Sequence, residues 1–349
     1  MTDTEKTYTV KVKKLPHSEV EFTVSVAAAT FDAARDEAIE HLGNEIELPG
    51  FRKGKAPAKL IAERAGEAAV LEEMAEHVIM RVYAQIIVDE KLDVLGRPKV
   101  NLTKVAMGNP LEFTLTTAVM PEVKLPDFMP IAAKVNAKKE TPAVNDDDLN
   151  KTIDQVRSIA ARRKAEADGT PFDPEAPKPE LTDDFIKTLG DYASVEDFKT
   201  KAREEILKEK TRNVYEKHRV AIIEAILDKS TIELPDIIVE QELDRMAEEY
   251  AHDIEKMGMK FDEYLKLVKK SGDDLRKDWR LDAEKRAKVQ LLVATIARKE
   301  NIEPPTETLE LEMNKLHILY PNAPLERLRS YVDMVLTNEL VFKKLEEAK

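Results

Sequence analysis

The sequence of 349 residues contains no cysteine and only 10 glycines, and aromatic residues make up 5% of it. Without cysteine the chain has no disulfide framework, no thiolate metal site and no cysteine nucleophile. Turn-rich β folds use glycine at positions with positive φ, so the scarcity of glycine argues against an all-β protein. The missing cysteine also fits a reducing compartment, and we expect a cytoplasmic protein.

Long apolar runs are missing as well. The N-terminal segment MTDTEKTYTVKV lacks the apolar core of a signal peptide. The longest apolar stretches, such as residues 289–297, fall short of the ~20 residues that a membrane-spanning helix needs. We therefore expect no contact with a membrane.

What the sequence has in abundance is charge. Charged residues make up 35% of the chain and the net charge is −13. Globular proteins average about 25% charged residues, so this composition favours long, solvated helices. An acidic surface also disfavours general binding of nucleic acid, and any contact with RNA requires a local basic patch.

The residue patterns predict an α+β domain over residues 1–120. Apolar and polar residues alternate in 7–26, 99–105 and 111–120, which indicates strands, whereas 30–46 and 58–91 have helical spacing. The next segment, 121–142, holds four prolines and predicts an extended linker with one strand at 131–135.

Residues 143–349 are predicted to form an all-α domain. A helix over 143–163 precedes the proline-rich loop 164–180, because proline cannot continue a helix. From Leu181 onward, apolar residues recur at spacings of three and four, which indicates amphipathic helices. The methionines in these stripes pack in a core by default. They also suit binding of partners of varied shape, because methionine is flexible.

Residues 49–57, PGFRKGKAP, form a basic loop between two helices. Four residues between positions 49 and 61 are basic and none is acidic. Gly50 and Gly54 allow tight turns, and an aromatic side chain beside an arginine is typical of a binding hot spot. Two interpretations stay open: a binding loop, or a solvated turn whose Phe51 folds back into the core.

The pattern Gly-Phe-Arg-x-Gly-x-x-Pro, after a strand–strand–helix start, resembles the ribosome-docking signature of trigger factors, a family of ribosome-associated chaperones. The candidate docking residues are Gly50, Phe51, Arg52, Lys53, Gly54, Lys55 and Pro57. By this resemblance, the tip of the loop contacts a large-subunit protein at the exit tunnel and nearby ribosomal RNA. The segments at 121–128 and 179–185 are also similar to the family.

The resemblance implies an ATP-independent chaperone that holds nascent or unfolded polypeptides, uses no cofactor and forms a homodimer off the ribosome. In the family, the helical body sends out two arms that form a cradle over the exit tunnel. The candidate client-binding residues, taken from the apolar stripes, are Met246, Tyr250, Met257, Met313, Leu316, Tyr320, Leu328 and Val332.

The chain departs from typical trigger factors at one place. The family carries a prolyl isomerase domain of the FK506-binding type after the first helix of the helical body. Here the chain has only the loop 164–180, and an independent core needs on the order of 40 residues. We therefore expect no isomerase activity and assign no catalytic residue.

Other kinds of site find no support in the residues. The six histidines form no His-Glu-x-x-His motif and no i,i+4 pair, so we expect no metal site. No glycine-rich phosphate loop is present. Two alternatives to the chaperone stay open: a helical scaffold or adaptor that does not bind unfolded proteins, and an isomerase of a type that the motifs do not reveal.

Overall fold

The computed structural model describes residues 7–171, 173–174 and 177–349. Its contacts divide the chain into two units. One joins the chain up to Lys124 with Thr231–Leu292, and the other joins Leu125–Ser230 with Val293–Lys349. Within the described ranges, no helix is long and apolar enough to cross a lipid bilayer.

A four-stranded antiparallel sheet forms one layer of the N-terminal domain. Its strands are β1 (Tyr8–Leu15), β2 (Glu19–Val26), β3 (Val94–Lys104) and β4 (Leu111–Val119), in the order β1-β2-β4-β3. In β2 and β4 alternate residues, including Phe22, Phe113 and Leu115, are buried. Because successive side chains point to opposite faces, this alternation gives the sheet one apolar face.

Helices cover the apolar face of the sheet. They are α1 (Ala28–Asp32), α2 (Arg35–Glu45), α3 (Ala58–Ala65) and α4 (Glu67–Glu90). Buried residues of α4, such as Met74 and Val78, belong to the same core as the buried strand residues. Tyr83 of α4 and Thr117 of β4 share a buried hydrogen bond of 2.9 Å, so the polar group of Thr117 has its partner.

The predicted α+β fold of the N-terminal region is confirmed, and the helical segment predicted over 58–91 forms two helices that meet at Gly66. The helix predicted over 30–46 is instead two helices, with Ala33 and Ala34 between them. Phe31 and Ala34 are both buried, so the change of direction between the helices keeps both residues in the core.

The remaining elements complete a mostly helical chain. They are β5 (Val123–Lys124), α5 (Phe128–Asn136), α6 (Asp146–Ala167), α7 (Asp183–Leu189), α8 (Val195–Leu227), β6 (Thr231–Ile232), α9 (Asp236–Lys256), α10 (Phe261–Val268), α11 (Gly272–Lys299), α12 (Thr306–Leu319) and α13 (Leu325–Glu346). The short strands β5 and β6 pair antiparallel. The helical nature of the C-terminal region is thereby confirmed.

The prediction of an extended linker over 121–142, with a strand at 131–135, is wrong for the part that forms α5. Phe128, Ile131 and Ala132 are buried at helical spacing, and this periodicity outweighs the proline content. Pro130 lies in the first turn of α5, where a backbone N–H has no partner within the helix, so proline is tolerated there.

Helix α6 begins at Asp146, three residues later than predicted. Asn145 is the N-cap, and its side chain and that of Asp148 form a reciprocal capping box, which satisfies two N–H groups at the helix start. The helix continues to Ala167, so the proline-rich loop is shorter than predicted. Part of that loop, Phe172, Glu175 and Ala176, lies outside the described residues.

Ion pairs and an aromatic cluster hold α9, α10 and α11 together. Arg276 and Arg280 of α11 both bind Glu240 of α9, at 2.8 and 2.9 Å. Arg276 also binds Asp244, and Arg280 binds Asp236. The aromatic cluster is centred on Tyr250, with ring centroids of Phe261, Tyr264 and Trp279 at 6.3, 5.6 and 5.2 Å.

In the second unit, Asn136 at the end of α5 joins three elements. Its amide nitrogen donates to the backbone carbonyls of Leu345 and Ala348, each at 2.9 Å, near the end of α13. Its amide oxygen lies 2.9 Å from Nε2 of His218 on α8. Because this oxygen can only accept, His218 carries its proton on Nε2. The network ties the C-terminal residues to α5 and α8.

Candidate functional site

The tip of the basic loop is exposed. Phe51 has 44% of its surface open to solvent, and Arg52 and Lys53 are also exposed. Phe51 therefore does not fold back into the core, and of the two interpretations left open by the sequence this structure has the exposed aromatic tip. A large apolar side chain held in water beside two cations has the composition of a binding hot spot.

Turns and a tether fix the loop against α2. The N–H of Phe51 bonds to the carbonyl of Leu48 at 3.1 Å, and the N–H of Gly54 bonds to the carbonyl of Gly43 at 2.9 Å. Gly54 has φ +73, and a Cβ at this position would lie 2.3 Å from Oδ1 of Asn44. The positive φ favours glycine at this position, whereas the clash with Asn44 involves the end of an exposed side chain that can rotate away.

Both ends of the loop are anchored in the domain core. Leu48 and Ala56, on either side of the tip, pack against the core of the N-terminal domain. Pro57 precedes α3 directly as its N-cap, and Ile61 of α3 is buried. The sequence thus alternates anchoring and exposed positions, and the result is a supported loop with a solvated tip.

One acidic residue lies near the tip. Nζ of Lys53 is 3.2 Å from a carboxylate oxygen of Glu47, and both side chains are more than half exposed. An exposed pair of this kind contributes little to stability, about 0–1 kcal/mol. The lysine can therefore leave Glu47 for another anion at low cost.

The candidate client-binding residues differ in how exposed their side chains are. Met257 and Tyr320 are exposed, with 79% and 60% of their surface open. Met246, Met313 and Leu316 are partly buried.

Three of the candidates serve the fold instead. Leu328 and Val332 of α13 are buried, so they are not available to a client in this structure. Tyr250 is partly buried at the centre of the aromatic cluster, where its hydroxyl lies 2.6 Å from that of Tyr264. Helical periodicity selects the face that packs inward, which explains why these residues stood out in the sequence.

Sequence reasoning identified Met257 and Tyr320 but missed several other exposed apolar side chains. On α12 and α13 the exposed apolar set comprises Leu311, Ile318, Leu319, Tyr320, Leu325, Tyr331, Met334 and Val335, and on the α9–α11 segment it comprises Met257, Met259, Leu267, Val268 and Leu281. Ile318 and Leu319 are 80% and 71% exposed. A usable signal was the apolar run HILY at 317–320, which is too wide for a single buried stripe.

Comparison with known families gives two matches along the chain. The family model described as bacterial trigger factor protein matches residues 8–156. The model described as bacterial trigger factor protein C-terminus matches residues 194–349. The two matches together cover most of the chain and leave residues 157–193 between them, the interval that contains the proline-rich loop.

Curated relatives match over nearly their whole length. The trigger factor of Halalkalibacterium halodurans is 24% identical, with 89% of this chain and 90% of the relative covered. The trigger factor of Moorella thermoacetica is also 24% identical, with 95% and 92% covered. The first alignment runs over 393 positions, more than the 349 residues of this chain. Parts of that relative are therefore aligned with gaps in this chain.

A solved structure has the same fold. It is described as "Promiscuous Substrate Recognition in Folding and Assembly Activities of the Trigger Factor Chaperone", and it matches with a TM-score of 0.52 and 17% identity over 98% of this chain and 100% of that one. At this identity the likeness concerns the fold alone.

Proposed function

The chain belongs to the bacterial trigger factor family, and from this premise we propose that it is an ATP-independent chaperone that docks on the ribosome beside the exit tunnel and holds nascent or unfolded polypeptides. The observation that carries the docking step is the exposed tip of the basic loop. Phe51 is 44% exposed on a loop that is tethered at Gly43 and packed at Leu48 and Ala56.

Docking through this loop would combine one apolar contact with electrostatic attraction from two basic side chains. A pre-formed loop loses little conformational entropy when it binds, so more of the contact energy remains as affinity. Phe51 supplies the apolar anchor, and Arg52 and Lys53 supply attraction to phosphate or acidic protein groups. Since screening shortens such attraction to about 8 Å at physiological salt, we expect binding to weaken as salt rises.

The test is ribosome co-sedimentation with the full chain. Replacing Phe51, Arg52 and Lys53 together by alanine should weaken binding ~100-fold or more, because an aromatic anchor and two charges are lost. A matched control replaces Val12, Lys13 and Lys14 of β1 by alanine, since Val12 is also 44% exposed and adjoins two lysines. The docking proposal fails if the loop variant binds like the wild type, or if the β1 control loses as much affinity.

Holding of clients forms the second part of the proposal. We assign docking to residues 1–120 and client binding to 143–349, chiefly through Met257, Tyr320 and their exposed apolar neighbours. Many weak contacts spread over a surface give a residence time that no single contact provides. Release follows when the client buries its own apolar surface.

The chaperone that we propose has no prolyl isomerase activity. Between the end of α6 at Ala167 and the start of α7 at Asp183, the chain is too short for an independent core, which needs about 40 residues. The uncatalysed isomerisation takes tens to hundreds of seconds, so refolding of a proline-limited protein would reveal catalysis readily. We expect its rate to stay unchanged at equimolar chaperone, and a dose-dependent acceleration would contradict this part of the proposal.

A further inference from the structure

Three potential metal ligands from two helices meet at the edge of the N-terminal domain. Nδ1 of His41, on α2, lies 2.7 Å from Oε1 of Glu73 on α4. Nε2 of His77, one turn further along α4, lies 2.9 Å from the same oxygen. The donor atoms of the three side chains are all within 4.8 Å of one another. This His41–Glu73–His77 cluster lies apart from the tip of the docking loop.

The packing of α2 against α4 holds the cluster in place. The side chain of Glu73 is 14% exposed and that of His77 is 21% exposed, whereas His41 is 51% exposed. On the inner side of the two helices, Ala38 and Met74 are fully buried. Two ligands are therefore restrained by the fold, and the third faces solvent, from which an ion can enter.

A second carboxylate lies near the other ring nitrogen of His77. Nδ1 of His77 is 3.7 Å from Oε1 of Glu37, and Glu37 is also held by Arg81 at 2.8 Å. When one ring nitrogen of a histidine binds a metal, the other commonly donates to a carboxylate, which fixes the tautomer and raises the basicity of the ligand. Glu37 lies on the correct side of His77 for that role, and an approach of about 0.7 Å would form the hydrogen bond.

We propose that His41 Nδ1, Glu73 and His77 Nε2 form a binding site for a divalent transition metal of the zinc class, with Glu37 as the supporting carboxylate. Zinc binds nitrogen and oxygen ligands at about 2.0–2.2 Å, which puts neighbouring ligand atoms of a tetrahedral site about 3.3 Å apart. The separations of 2.7 and 2.9 Å need to open by about half an ångström. A small rotation of the half-exposed His41 opens the first, and a small rotation of Glu73 or His77 opens the second. Water completes the coordination.

The ligand set selects the class of metal. Two imidazoles and a carboxylate suit zinc and its neighbours among the transition metals, whereas magnesium and calcium prefer sites built from oxygen alone. Histidine binds a metal through a nitrogen that carries no proton, so protons compete with the ion for such a site. Sequence analysis missed the site because His41 comes from a different helix, although Glu73 and His77 do have i,i+4 spacing.

A bound ion would join α2 to α4 close to the base of the docking loop. His41 stands two residues before Gly43, whose carbonyl accepts the tether from Gly54. The site can exist whether or not the loop docks on ribosomes, so its test is independent of the proposed function.

The test measures zinc binding to the full chain by calorimetry at pH 7.5. We expect one ion per chain, no comparable binding of magnesium, and at least a tenfold loss of affinity in each of His41→Gln, Glu73→Gln and His77→Gln. His252→Gln is the matched control, since His252 is an exposed histidine on α9, and it should bind zinc like the wild type. Circular dichroism checks that each variant is folded.

Two further measurements use the unmodified chain, so they do not depend on the folding of a variant. Cobalt(II) should give the intense visible absorption of a low-coordinate nitrogen and oxygen site, and zinc should displace it. Zinc at 100 times its dissociation constant should lower the unfolding equilibrium constant about 100-fold. The absence of micromolar binding would overturn the proposal, and so would binding that survives all three ligand variants or that is lost equally in His252→Gln.

Discussion

The N-terminal sheet domain and the helical pair α12–α13 use their apolar residues in opposite ways. In the sheet domain the large side chains point inward: Phe22, Phe113 and Leu115 are fully buried. In the α12–α13 pair, Leu309 and Val341 are among the buried residues, but Ile318, Leu319 and Tyr320 are mostly exposed. The sheet domain thus buries its large apolar side chains, whereas the helical pair leaves a share of them exposed, the share that we propose contacts clients.

The two regions also differ in how an exposed apolar side chain is supported. Phe51 of the N-terminal domain stands on a loop fixed by the tether between Gly54 and Gly43. Ile318 and Leu319 lie in the last turn of α12 and are 80% and 71% exposed. A single anchor on a fixed loop suits one defined partner, whereas a run of neighbouring exposed apolar groups offers contacts to partners of different shape.

The largest expected effect on stability comes from the core of the sheet domain. Replacing Phe113 by alanine should lower the free energy of unfolding of this domain by about 3–5 kcal/mol, because it removes a fully buried aromatic ring and leaves a cavity. Hydrogen exchange of the β2 and β4 amides measures the loss locally. The matched control is Val100→Ala on β3, an exposed position of the same sheet, which should change stability by no more than about 0.5 kcal/mol.

An exchange rate in Phe113→Ala equal to that of the Val100→Ala control would show that the sheet does not depend on this core. The claim that the buried side chains of the sheet domain serve its stability would then fail, and burial would no longer distinguish residues that stabilise from residues that bind.

Sequence patterns sufficed where local periodicity and burial agree. The alternation in β2 and β4 predicted the sheet, and helical spacing predicted α2, α4 and the helices of the C-terminal region. They failed at α5, where Pro130 suggested extended chain although it lies in the first turn of a helix. Spacing alone does not tell which apolar stripe packs and which stays in solvent: Leu328 is buried and Ile318 is exposed.

The basic loop was the part of the candidate site that the sequence identified most directly, because its glycines and charges are adjacent in sequence, whereas the exposure of Phe51 stayed open. The His41–Glu73–His77 cluster and the Asn136 network were not predictable. Both features bring together residues that are far apart in the chain and come into contact only in the folded protein. The residue pattern of a single segment does not predict such contacts.

A smaller, pH-dependent effect is expected in the second unit at His218. Burial lowers the pKa of His218, and the nearby Lys139 lowers it further, while Glu346 opposes them. The unfolded chain therefore takes up this proton first, near pH 6.5. The stabilising contribution of the neutral imidazole is complete above that pH, and it is lost as the pH falls through the lower folded value.

We expect His218→Gln to lose less stability than the wild type between pH 7.5 and 5, because glutamine can also donate to Asn136 but does not titrate. Hydrogen exchange of α5 and of the end of α13 at the two pH values gives the comparison. The other histidines are the same in both proteins, so their titration cancels in the difference. An equal loss in the two proteins would assign the acid sensitivity to other groups.

The smallest effect on stability and the clearest effect on function are expected at the end of α12. Replacing Ile318, Leu319 and Tyr320 by serine should change the free energy of unfolding by no more than about 0.5 kcal/mol per position, since these side chains are largely solvated. The same change should weaken the suppression of aggregation of a diluted, denatured protein several-fold, because it removes a contiguous apolar contact. Light scattering without ATP measures the suppression, and circular dichroism confirms the helix content.

The matched control replaces Met313 and Leu316 by alanine: these partly buried neighbours on α12 should affect stability more and client binding less. If the serine variant suppresses aggregation like the wild type, the exposed apolar set of α12 and α13 is not the client surface, and the helical scaffold becomes the better account of this region.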